Sequence, residues 1–187
     1  MFIACLVSLA GCNNNSSTGT ETAGATRPAK EPVKSKLNDE GTKKLMSVIS
    51  NYYTLKNAMV AAKSADAVKA AAQLAAATDS FQTYLQHDSA NMAAVKPYTD
   101  TIIAQSKLAA AIDDPSCEKQ RLAFGPISSA MYGLIKKVDL KNAKIYHEYC
   151  PMAFNDKGAT WLSEESEIKN PYFGKKMMEC GEVTDSL

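Results

Sequence analysis

Histidine is nearly missing from this chain of 187 residues: there are two, His87 and His147. His147 opens "HEYCP", which has no second histidine four residues on, so the helical H-E-x-x-H zinc motif is excluded. The nine glycines form neither G-x-G-x-x-G nor G-x-x-x-x-G-K, the loops that cradle phosphates. An excess of charge of either sign is also missing. Lys and Arg number 21 against 20 Asp and Glu, a net charge of +1, so bulk electrostatics favour neither nucleic acid nor an anionic substrate. A Cys150–His147 nucleophile pair is the one remaining catalytic arrangement, and neighbours in sequence rarely form such dyads. No enzyme activity and no nucleic-acid partner are expected. His87, in the polar "QHDS" turn, is expected to be solvated.

Long apolar runs are lacking too. "MFIACLVSLAGC" ends at Cys12, far short of the ~20 apolar residues that span a bilayer. Its last four residues, Leu9-Ala10-Gly11-Cys12, resemble the lipobox of bacterial lipoprotein signal peptides. That resemblance implies a signal peptide over 1–11, cleavage before Cys12 and a lipid on Cys12. No Lys or Arg precedes the apolar run, as a signal peptide should have, so the true start is expected upstream of Met1. Residues 12–36 are polar, rich in Ser, Thr, Gly and Pro, and read as a flexible tether. An anchor and a tether put the folded part in the cell envelope, facing the periplasm, where thiols meet oxidising conditions. Asn13 after the anchor cysteine hints at the outer membrane.

What is abundant is helical pattern. Leu45, Ile49, Tyr52, Leu55 and Met59 recur at spacings of three or four. Leu74, Thr78, Phe81 and Leu85 form a second stripe behind Ser64 as a candidate cap. Met92, Val95, Thr99, Ile102, Ile103 and Ser106 form a third, and Phe124, Ile127, Met131, Leu134, Ile135 and Val138 a fourth. Asp114 as N-cap with Pro115 at the first helical position marks the start of the fourth helix. Gly125-Pro126 inside that helix predicts a kink or a break, and Pro97 raises the same question in the third. The fold class expected is mainly α. Residues 37–143 make an antiparallel four-helix bundle, and residues 144–187 a small irregular cap packed on it within one domain.

The cap carries the unusual chemistry. Between Tyr146 and Gly181 two cysteines, three methionines, His147, the only tryptophan and two prolines occupy 36 residues. "KIYHEY" and "ATWLS" read as strands, "NDKG" as a turn, and "KKMMEC" as a helical turn ended by Gly181. "SEESE" reads as a solvated helix start with Ser163 as cap. In an extended segment Cys150 and Met152 share a face. On a helical turn Met177 and Cys180 do so as well. If the segment folds back, four soft ligands converge and select Cu(I) over hard cations, with Met178 in reserve. His147 joins them only if the backbone bends. The alternative is a Cys150–Cys180 disulfide, closing a loop of about 30 residues and contributing about 3–4 kcal/mol. Cys117 stands apart and reads as a partly buried free thiol.

The blocks "YCPMA", "GATWLS", "NPYFG" and "MMECG", with the upstream "NYYTLKNAMVAAKSADAVKAAAQLAAA" and "EKQRLAFGPISSAMYGL", resemble the bacterial family called domain of unknown function 3347. The resemblance runs over residues 44 to 183. It implies a periplasmic lipoprotein or a domain linked to adaptor subunits of heavy-metal efflux pumps. It also implies a soft-metal site at Cys150, Met152, Met177 and Cys180.

Overall fold

A computed structural model describes residues 33–187, all within one compact unit. Cys12, the signal peptide and most of the tether lie outside the described residues. The fold is mainly helical, with four long helices and a small antiparallel sheet: α1 (Asp39–Val60), α2 (Ser64–Tyr84), α3 (Ser89–Ala110), α4 (Glu118–Lys137), β1 (Tyr146–Cys150), β2 (Ala159–Ser163) and β3 (Glu182–Ser186). Each helix packs on the next, and α1 meets α4 through the stacked rings of Tyr52 and Phe124. The Tyr52 hydroxyl lies 2.7 Å from Ser128 Oγ and accepts from the Leu162 N–H, so a buried hydroxyl bridges α1, α4 and β2. The four apolar stripes face the core, apart from Ile103 of the third, which is only half-buried and lies outside it. Val33 and the three residues after it already belong to the fold, since the Lys34 and Lys36 N–H groups donate to the carbonyls of Lys141 and Val138.

The caps differ from expectation in instructive ways. Asn38 caps α1 by accepting from the Gly41 N–H at 2.8 Å, with Asp39 and Glu40 in the first turn, where the helix dipole favours acids. Ser64 does not cap α2. It is the first helical residue, and its Oγ accepts from Gln120 instead. Helix α4 begins three residues later than the Asp114-Pro115 pair predicts. Asp114 still caps it, but from a distance: its Oδ2 accepts from the Lys119 N–H at 2.9 Å, while Cys117 takes a left-handed φ of 61° to turn the chain.

Neither internal proline breaks its helix. Pro126 and Pro97 both lie on exposed faces, where the carbonyls one turn back that lose a partner are open to water. Gly125 has a separate reason to be small. A methyl there would sit 3.0 Å from the Phe154 ring, which reaches over from the cap.

In the cap the sheet order is β2-β1-β3. Tyr146 pairs with Ser163 and Cys150 with Ala159 on one side of β1. On the other side the register shifts between His147 and Glu148, which leaves Thr184 as a bulged residue in β3. Two expectations are corrected here. "SEESE" forms no helix: Ser163 ends β2, and its Oγ accepts from the Glu165 N–H in a side-chain turn. "KKMMEC" is a short 3-10 turn, Gly174–Lys176, followed by irregular chain, with Met177 at φ −149°, ψ 61°.

Candidate functional site

The two cysteines of the cap meet. β1 ends at Cys150, and the turn before β3 brings Cys180 alongside, with the sulfurs 2.6 Å apart. Cys150 is fully buried (0% exposed), whereas Cys180 is partly exposed at the edge of the core. Cys180 is held by its backbone. Asn170 Nδ2 donates to the Cys180 carbonyl at 2.7 Å, and the Asn170 N–H donates to that of Met178. Gly181 is a required glycine. With φ 147°, a side chain there would press at 2.8 Å on both the Trp161 ring and the Tyr149 carbonyl. The adjacent Cys150 thiol and burial push the Cys180 thiol up to about 11.

The other sulfurs go elsewhere. The strand stops at Cys150 and turns through Pro151, so Met152 does not continue an extended face, and it is 46% exposed. Met152 and Met177 line one cleft of about 650 Å³ with Leu122, Phe154 and Phe173, and neither cysteine nor His147 lines it. One wall of that cleft is a tight turn in which Phe154, Asn155 and Asp156 all take positive φ, between 54° and 62°. Such runs are costly for side chains with a Cβ.

His147 points into a third environment. Its ring stacks on Tyr132 with centroids 3.9 Å apart, and its Nδ1 lies 2.7 Å from Thr184 Oγ1. The same hydroxyl lies 3.1 Å from the His147 carbonyl, so Thr184 holds both the ring and the backbone of His147. Burial holds the His147 pKa below its ordinary value, against the pull of Asp185. Among the described residues, no three of His, Cys, Asp and Glu cluster as a metal site. Cys117 is fully buried, more than the partial burial expected, and that burial raises its pKa.

Sequence reasoning missed a buried polar cluster beneath the sheet. Lys56, 2% exposed, projects from α1 and donates to Ser163 Oγ at 3.2 Å and to Glu164 Oε2 at 2.9 Å. Asn57 Nδ2 donates to the other oxygen of Glu164. Glu148, 0% exposed, points inward from β1 and neither carboxyl oxygen has a hydrogen bond of good geometry. Burial pushes its pKa up to about 7, while Lys56 and the Trp161 indole pull it down. The Tyr53 hydroxyl is buried beside them, and its pKa is raised by burial and by Glu164 and Glu148. Arg121 is a second missed residue. Its guanidinium donates to three backbone carbonyls, those of Pro171, Ser116 and Met59, and so ties α1, the turn before α4 and the cap. Lys56 was detectable as a charge inside an apolar stripe, four residues after Tyr52. Glu148 was detectable as the strand neighbour two residues before Cys150, on the same face of β1.

The profile of one family, described as protein of unknown function (DUF3347), matches residues 48–143. The chain belongs to that family. The match covers most of α1, all of α2, α3 and α4, and stops just short of β1, so the DUF3347 profile contains Arg121, Lys56 and Tyr53 but neither thiol of the cap. No curated protein and no solved structure matches the chain.

Proposed function

We propose that this DUF3347 protein is an envelope lipoprotein, anchored through Cys12, that acts as a protein-interaction module whose cap is closed by a Cys150–Cys180 disulfide. The four helices form its antiparallel bundle, and the cap is stapled across one end. A single observation carries this reading: two cysteines 30 positions apart lie sulfur against sulfur, one of them wholly buried. In an oxidising compartment such a pair gives up two protons, passes two electrons to an external disulfide and bonds. The loop closed is long enough to contribute about 3–4 kcal/mol. A component of a heavy-metal efflux system is the partner that the family resemblance suggests. The test is peptide mapping of protein isolated from envelopes without reductant. A cross-linked Cys150–Cys180 peptide is expected, and free, alkylatable cysteines at both positions would refute the reading.

A second reading has its own observation. Met152 is exposed and shares a cleft with Met177. Thioethers at an open cleft suit capture of Cu(I), and a reduced Cys150–Cys180 pair would hold the ion more tightly after ligand exchange. On this reading the sulfurs act as two successive pairs rather than as one four-ligand site, and His147 takes no part. Copper analysis of the reduced protein decides it. The Met152→Leu, Met177→Leu double variant should take up copper at least about tenfold more weakly, and unchanged uptake removes this reading.

A further inference from the structure

The two sulfurs of the pair are not equivalent, and their difference sets the order in which they react. Cys150 closes β1, pairs with Ala159 and is fully buried. Cys180 lies in the irregular turn ahead of β3, partly exposed, next to a glycine that adds no side chain in front of it. The Asn170 bonds fix the backbone on either side of Cys180, so its sulfur stays against Cys150 without a change of fold. We infer that Cys180 is the thiol that attacks an external disulfide of the glutathione type, and that Cys150 resolves the product. This rests on the disulfide reading above and adds the route by which the bond forms.

The chemistry balances in two exchanges. Deprotonated Cys180 attacks one sulfur of the external disulfide, whose S–S bond breaks. A Cys180–glutathione mixed disulfide forms, and one glutathione thiolate leaves and takes up a proton. Cys150 then attacks the Cys180 sulfur, and its proton passes to the departing second glutathione. The Cys150–Cys180 bond forms, and the second glutathione leaves as the thiol. Two protein thiols are oxidised to one disulfide, and one external disulfide is reduced to two thiols. The reverse order requires an external molecule to reach a sulfur with no exposed surface.

The test uses the full chain with glutathione disulfide as probe and maps adducts by mass spectrometry. Cys150→Ser should accumulate a glutathione adduct on Cys180. Cys180→Ser should modify Cys150 at least about tenfold more slowly, since accessibility limits thiol reactivity. Modification of Cys150 in Cys180→Ser at an equal or greater rate overturns the inference. Pulse alkylation of the reduced wild type with iodoacetamide asks the same question without a substitution: Cys180 should label about tenfold faster than Cys150, with buried Cys117 as the slow reference, and equal rates overturn the inference. A stable adduct on Cys180 in the wild type, with no Cys150–Cys180 cross-link, leaves the order of attack standing and defeats the disulfide reading instead.

Discussion

Glu148 gives the sharpest test of the cap's electrostatics. Its carboxyl is wholly buried, neither oxygen has a hydrogen bond of good geometry, and Lys56, whose charge pulls its pKa down, is already engaged by Ser163 and Glu164. The folded protein therefore holds the proton up to about pH 7, whereas an ordinary glutamate releases it near 4.5. Between those values the folded state binds more protons than the unfolded chain, so stability falls as pH rises. The stabilising effect of the neutral acid is complete below pH 4.5 and is lost by the time pH passes 7. Each pH unit of difference is worth about 1.4 kcal/mol, so the loss is on the order of 3 kcal/mol. Glu148→Gln resembles the protonated acid and cannot ionise. Its unfolding free energy, measured in urea from pH 4.5 to pH 8.5, should lie parallel to the wild type's at the acid end and exceed it progressively above. The gain from acid to alkali should reach about 2–3 kcal/mol. A constant offset from the amide's own burial does not alter that slope. A difference that stays flat with pH, or a variant less stable at pH 8.5 than at pH 4.5 relative to wild type, would show a charged Glu148 paired with Lys56 and refute the reasoning.

Other substitutions probe the joints of the fold. Arg121→Met removes the side chain that donates to the carbonyls of Pro171, Ser116 and Met59, and should cost about 3–5 kcal/mol in urea unfolding, as loss of a buried charged donor does. A cost below 1 kcal/mol would mean that water replaces it. Asp156→Gly relaxes the last residue of the left-handed turn and should raise Tm by about 2–4 °C, corresponding to about 1 kcal/mol. A fall in Tm would show that the turn is held by the Asp156 side chain. Gly181→Ala should destabilise the cap by about 2–3 kcal/mol and slow closure of the thiol pair, read by non-reducing peptide mapping, because its methyl strikes the Trp161 ring and the Tyr149 carbonyl. Reduction of the closed pair should lower unfolding free energy by about 3–4 kcal/mol. No change on reduction would place the loop's order in its packing alone.

What could be read from the residues, and what could not, divides along physical lines. The helices were legible because burial repeats every three or four residues. Leu45 to Met59 and Phe124 to Val138 announce both a helix and the face it buries. β1 and β2 were legible through their aromatic and β-branched residues. β3 was not: "EVTDS" is almost wholly exposed and joins the sheet as an edge strand through backbone hydrogen bonds, which leave no apolar alternation to detect. The start of α4 was misplaced because Asp114 caps through a side chain that reaches past a left-handed Cys117, and a dipeptide signal cannot encode that reach. The sulfur site shows the same limit. Spacing alone gave the pairs Cys150–Met152 and Met177–Cys180, each resting on an assumed local geometry. The strand ended two residues too early for the first, and the helical turn for the second did not form. The thiols that meet, Cys150 and Cys180, stand at opposite ends of the segment, whereas Met152 and Met177 share only the lining of an open cleft. The thiol pair is set by the antiparallel return of β3 along β1, a long-range register that no local spacing records.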